Sequence, residues 1–125
     1  MDISKFDQFT QAYIEALFFT EEGEGEGGQI GDATEFAPET LDRIHADCKK
    51  FQEEHWDIIS DNPSQAGHDF WLTRNRHGSG FWDPGRWPRI MGARTITNGS
   101  YLTEKSHEFG EVHAYLGDDG LIYLG

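Results

Sequence analysis

The sequence predicts an α+β fold, with two N-terminal helices packed on a small antiparallel β-sheet of about four strands. Three observations carry that expectation. Leu41, Ile44, Cys48, Phe51, His55 and Ile58 recur at alternating three- and four-residue spacing, the stripe of an amphipathic helix over 38–60. After Pro63 the pattern changes to period two. Near the end, two apolar runs flank Asp118-Asp119-Gly120, a strong hairpin signal. At 125 residues the chain is read as a single domain, 1–125, helical over 1–62 and β-rich over 63–125.

Residues 4–18 read as a first helix. Ser4 is a candidate cap, and Phe6, Phe9, Tyr13 and Leu17 form its apolar face. Residues 20–35, rich in Gly and Glu, read as a flexible acidic loop, because Gly makes helix costly and neighbouring carboxylates repel. Pro38 suits a first helical turn, and Glu39 and Asp42 complement the positive end of the helix dipole. Asp61-Asn62-Pro63 ends that helix. Over 68–74, His68, Phe70, Leu72 and Arg74 alternate with Asp69, Trp71 and Thr73. With a turn at 76–80 and Phe81-Trp82-Asp83 returning, the segment 68–83 reads as a β-hairpin. Residues 89–98 suit a short strand or an irregular loop. Residues 100–109 suit a short helix closed by Gly110.

Leu, Ile and Val are scarce, while 9 Phe, 4 Trp and 4 Tyr give an aromatic-rich core. The lone Cys48 forms no internal disulfide and suits a reducing compartment. No basic segment followed by an apolar run opens the chain, and no stretch approaches a membrane span, so a cytoplasmic protein is expected. The net charge of −13 is concentrated in front: residues 1–62 carry 16 acidic and 4 basic residues, against 7 and 6 in 63–125. Such a field disfavours nucleic acid and membrane as partners and attracts basic protein surfaces. Oligomeric state is not readable from the pattern.

Two groups of residues are candidate sites. The first is the acidic face of the 38–60 helix, Glu39, Asp42, Asp47, Glu53, Glu54 and Asp57, joined by Glu21, Glu22, Glu24 and Glu26 of the acidic loop. The second lies in the 68–83 hairpin. There His68, Asp69, Arg74, Asn75, Arg76 and His77 surround a glycine-bearing turn whose backbone N–H groups could hold a phosphate or carboxylate. Trp71, Trp82 and Trp87 could stack on a nucleoside, with Trp87 the best candidate for an exposed ring. A hydrolase or nuclease would draw on His68, Asp69 and His77, or on a His68–Asp83 pair. His107 and His113 add metal-ligand types, but no ligand spacing matches a known site. No cofactor and no metal are implied. Cys48 lies on the apolar stripe and reads as core.

The run Gly-His-Asp-Phe-Trp-Leu-Thr-Arg-Asn-x-His-Gly-x-Gly-Phe-Trp-Asp, followed by Phe-Gly-Glu-Val-His-Ala-Tyr-Leu-Gly-Asp-Asp-Gly, resembles a family of small acidic uncharacterised proteins from bacteriophages and mobile elements. The resemblance covers residues 66–83 and 109–120 and carries over no catalytic residues. It implies a phage accessory protein acting in a bacterial host. By analogy with other small acidic phage proteins, the expected activity is inhibition of a host nucleic-acid-processing or anti-phage defence protein, such as a restriction or CRISPR component. The acidic surface would present carboxylates where DNA presents phosphates. The alternatives are a nucleotide- or anion-sequestering protein using the hairpin, and a small His/Asp hydrolase or nuclease.

Overall fold

Asp7, rather than Ser4, starts the first long helix. The computed structural model describes residues 3–21, 33, 35–77, 79–83, 87 and 98–125. A 3₁₀ turn, Ile3–Lys5, precedes α1, Gln8–Glu21. The Asp7 carboxylate accepts the Thr10 N–H at 2.8 Å, as a helix N-cap should. Burial works against this carboxylate, but the bonds from Thr10 and from Gln52 outweigh it and hold its pKa below the usual value. The helix runs to Glu21, into the segment read as loop. Residues 22–32 and 34 of that segment lie outside the described residues.

The second helix, α2, Pro38–Ile59, matches its expected span, with Pro38 and Glu39 in the first turn. Thr40, Ile44, Cys48, Phe51, His55 and Ile59 are buried. The stripe ends on Ile59 instead of Ile58 because the backbone leaves helical geometry at His55 (φ −130°, ψ 15°). That irregularity shifts the phase of the last turn.

The period-two reading of 68–74 is overturned. Residues Pro63–Arg74 form a helix, α3. Asn62 caps it by accepting the Gln65 N–H at 3.3 Å, and Pro63 takes its first turn. Asn62-Pro63 therefore both ends α2 and begins α3. Ala66, Gly67 and every residue from Asp69 to Arg74 are buried. A helix buried on nearly all sides shows no 3.6-residue stripe, so a chance alternation imitated a strand.

The fourth helix, α4, Asn98–His107, begins and ends two residues before the expected helix, and Gly110 closes the turn that follows it. The C-terminal hairpin is as expected. Strand β1, Ala114–Leu116, pairs antiparallel with β2, Ile122–Leu124, in the register Tyr115↔Tyr123, with Gly120 at φ +81° in the turn. Phe36 adds one isolated parallel bridge to Ile122. Among the described residues the fold is thus four helices and a two-stranded sheet, not two helices on about four strands. Among the described residues, the second half of the chain is more helical than β-stranded. Residues 89–97, expected as strand or loop, lie outside the described residues.

The core is aromatic, as composition requires. The Phe51 ring lies 4.3 Å from Phe70, 5.8 Å from Phe9 and 5.7 Å from Phe81, joining α1, α2, α3 and the segment after α3. Cys48 is fully buried, and burial pushes its thiol pKa far up, so it serves as core. No helix among the described residues is long and apolar enough to cross a membrane.

Candidate functional site

The donor-rich turn after Arg74 is a helix cap. The His77 N–H bonds to the Leu72 carbonyl at 2.9 Å and the Arg76 N–H to the Thr73 carbonyl at 3.1 Å. Arg76 takes the left-handed conformation (φ +57°). This is a Schellman motif, in which N–H groups beyond the helix satisfy its last carbonyls. Further along, the Asp83 carboxylate accepts the Gly80 N–H at 2.9 Å and the Ser79 hydroxyl at 2.8 Å. The Phe81 N–H donates to the Thr73 hydroxyl at 3.0 Å. The loop expected to cradle an anion holds the protein's own carboxylate instead. Gly78 lies outside the described residues.

Three of the residues expected to bind a ligand here are committed to internal structure. Arg74, 1 % exposed, donates from Nη1 to Asp47 Oδ2 at 2.8 Å and to the Tyr13 hydroxyl at 3.1 Å. Its Nε reaches the Gly110 carbonyl at 3.0 Å and its Nη2 the Phe109 carbonyl at 3.1 Å. The rings of Phe70 and Phe109 lie 5.5 and 5.7 Å from the guanidinium carbon. Burial works against the guanidinium's charge, and Tyr13 and Asp47 more than restore it. Asp69 is buried and accepts from Gln65 Nε2 at 2.9 Å and from the Trp87 indole at 3.0 Å. Asn75 donates to the Trp71 carbonyl at 3.1 Å and accepts the Val112 N–H at 2.8 Å. His68 Nδ1 stands 3.7 Å from Asp69 Oδ1, beyond hydrogen-bond reach. Arg76 is exposed, and His77 is turned toward the C-terminal hairpin. The fold does not gather His68, Asp69 and His77 into one constellation. Among the described residues no group of three His, Cys, Asp or Glu side chains can hold a metal ion.

The acidic face of α2 survives with one member removed. Asp47 is partly buried against Arg74. Glu39, Asp42, Glu53, Glu54 and Asp57 are exposed and make no hydrogen bond or ion pair among the described residues. Asp42 and Glu53 are about 16 Å apart along the axis at 1.5 Å per residue. The exposed Lys49 and Lys50 divide the acidic residues into two patches. The patch at Glu53, Glu54 and Asp57 lies toward the negative end of the helix dipole, with no basic residue in the last turn. Glu53 and Asp57 are also an i,i+4 like-charge pair, which costs about 0.2–0.5 kcal/mol.

Trp56 lies in this patch and is 49 % exposed. The aromatic residues of the polar run, not Trp56, are the ones the sequence singles out as exposed rings. The position of Trp56 off the Ile44–Cys48–Phe51 stripe was a legible signal. Trp87, the expected exposed ring, is 8 % exposed, and Trp82 is half exposed.

Two concavities on the surface bring together titratable side chains of different elements. A groove of about 580 Å³ lies between α2 and α4, with His55, Tyr101 and Phe109 among its lining residues and Glu54 and Lys105 beside them. His55 is buried with Nδ1 unpartnered, edge-on to Phe51 and Tyr101. A second cavity, of about 490 Å³, joins the end of α1 to β1 and contains His77. No protein-family model, curated protein or solved structure matches the chain.

Proposed function

We propose that this chain is a non-enzymatic binding protein whose α2 outer face engages a basic surface of a partner protein. One observation carries the reading: Trp56 stands half exposed on the turn that carries Glu53, Glu54 and Asp57, carboxylates with no hydrogen bond or ion pair among the described residues and at the helix end whose dipole disfavours them. Interface hot spots pair such an aromatic anchor with surrounding polar groups, and unpaired carboxylates steer a basic partner into contact. Lys49 and Lys50 interrupt the acidic row, so recognition centres on the Glu53–Asp57 turn. The resemblance to phage proteins suggests the partner class, a host nucleic-acid-processing or defence protein whose basic surface otherwise receives phosphates. The hydrolase and anion-binding readings are weaker, because Arg74, Asp69 and Asn75 are spent on internal bonds.

The test is a pull-down of basic DNA-binding proteins from bacterial lysate, repeated on each purified candidate. The wild type should retain a partner, with affinity falling as salt rises. Glu53→Lys, Glu54→Lys and Asp57→Lys together should abolish retention, and Trp56→Ala should weaken it by about tenfold or more. All four positions are exposed, so folding should be unaffected. Retention undiminished by the triple reversal would sink the proposal.

A further inference from the structure

Glu21 is a carboxylate in a place where the fold gives it no support. It is the last residue of α1 and is 8 % exposed. Burial and the negative end of the helix dipole both act against its charge. It makes no hydrogen bond or ion pair among the described residues. Burial accordingly holds its pKa above the usual value, with His113 acting in the opposite direction.

The carboxylate lines the second cavity with His77, His113, Val112 and Tyr115. Asn75 is there too, but both ends of its amide are engaged. The imidazoles of His77 and His113 make no hydrogen bond among the described residues. Burial holds His77 below its ordinary pKa, so at neutral pH it is uncharged and offers one acceptor nitrogen. Among the described residues, no Lys or Arg lines the space. Among the described residues, one unpaired carboxylate, a neutral imidazole acceptor at His77 and a lining without Lys or Arg describe a receptor for a positive group. The absence of a three-ligand metal cluster among the described residues points away from a metal ion. The group that fits is one reached by hydrogen bonds, such as an ammonium or a guanidinium. At the rim, the half-exposed Tyr115 ring, stacked on Tyr123 at 5.7 Å, offers an aromatic face that suits the same charge.

We infer that this cavity binds an alkylammonium or alkylguanidinium group, with Glu21 as counter-ion and His77 and His113 as hydrogen-bond acceptors. The group comes either from a free small molecule or from an Arg or Lys side chain of a peptide. The inference uses residues distinct from the α2 face and does not depend on it.

The experiment follows the His77 and His113 imidazole resonances by NMR during titration of the full chain. Butylguanidinium and butylamine test the free group, an acetylated Arg-centred tripeptide amide tests the side chain, and butanol is the neutral control. Saturable shifts with the cations or with the tripeptide, absent with butanol, are expected. Saturation by the small cations indicates a free ligand, and saturation by the tripeptide alone indicates a side chain. Glu21→Gln should weaken binding by about tenfold or more, and its melting temperature should not fall, since the variant removes a buried unpaired charge. His113→Gln, at an exposed position, gives a second variant that should also weaken binding. No saturable shift with any cation, or equal affinity in the Glu21→Gln and His113→Gln variants, overturns the assignment.

Discussion

Arg74 shows how far a residue's role depends on what the fold brings to it. In the sequence it stands in a polar run and reads as an anion ligand. In the structure it is a buried tie between α1, α2, α3 and the segment that follows α4, through Tyr13, Asp47, Phe109 and Gly110. Removing it strands a carboxylate, a hydroxyl and two carbonyls, and breaking one side of a buried pair costs about 3–5 kcal/mol. Because Asp47 is partly exposed, Arg74→Ala is expected near the lower end, about 3 kcal/mol, measured by urea denaturation. Arg74→Lys should recover little, because an ammonium cannot reproduce the planar fork. A loss below about 1 kcal/mol would show that the network is not a tie.

At the scale of elements, α3 is where the sequence pattern and the fold disagree, and its packing explains why. It meets α1 so closely that a Cβ at Gly67 would run into the Phe9 carbonyl, 2.8 Å from its carbon. A helix held that tightly has no solvent face to advertise a period. In an exposed helix, Gly→Ala gains roughly 1 kcal/mol. At Gly67 the sign should reverse, because overpacking costs about 1–3 kcal/mol and the obstacle is backbone, which cannot rotate away. Chemical denaturation of Gly67→Ala reads this directly, and a variant as stable as wild type would refute the close approach. By contrast, α2 was legible because it has one wet and one dry face. The C-terminal hairpin was legible because its turn residues act locally.

The whole molecule responds to acid through the buried His55 and the half-buried His77. Burial holds His55 and His77 below the ordinary imidazole pKa. Glu54, Asp57 and Glu108 push His55 up and Lys105 pushes it down, but burial prevails. Below about pH 6.5 the unfolded chain binds protons that the folded state refuses. The stability held by the neutral imidazoles is therefore complete above that pH and is lost as pH falls through the depressed folded values. Glu21 has the opposite sign: its raised carboxyl takes a proton first in the folded state, which gains stability as pH falls toward the ordinary Glu range. Urea midpoints from about pH 8 to about pH 5 should decline, and His55→Gln should flatten the decline. Equal slopes in the two proteins would remove His55 as a source.

The sequence by itself determined the span and stripe of α2, the Asp-Gly hairpin, the glycine turn at Gly110 beyond α4, the aromatic core and the acidic front half. Each is written in short-range spacing or in composition, and neither needs a distant partner to take effect. Tertiary structure alone decided that 63–74 is a helix, since burial on nearly all sides erases amphipathic period. It turned Arg74 and Asp69 from ligands into struts, because partners 18 to 61 residues away, at Trp87, Asp47 and Tyr13, close on them. It also buried Trp87, exposed Trp56, and brought Glu21, His77 and His113 to one cavity from three separate segments. Local spacing specifies elements, whereas the fate of a polar side chain is set by what packs against it.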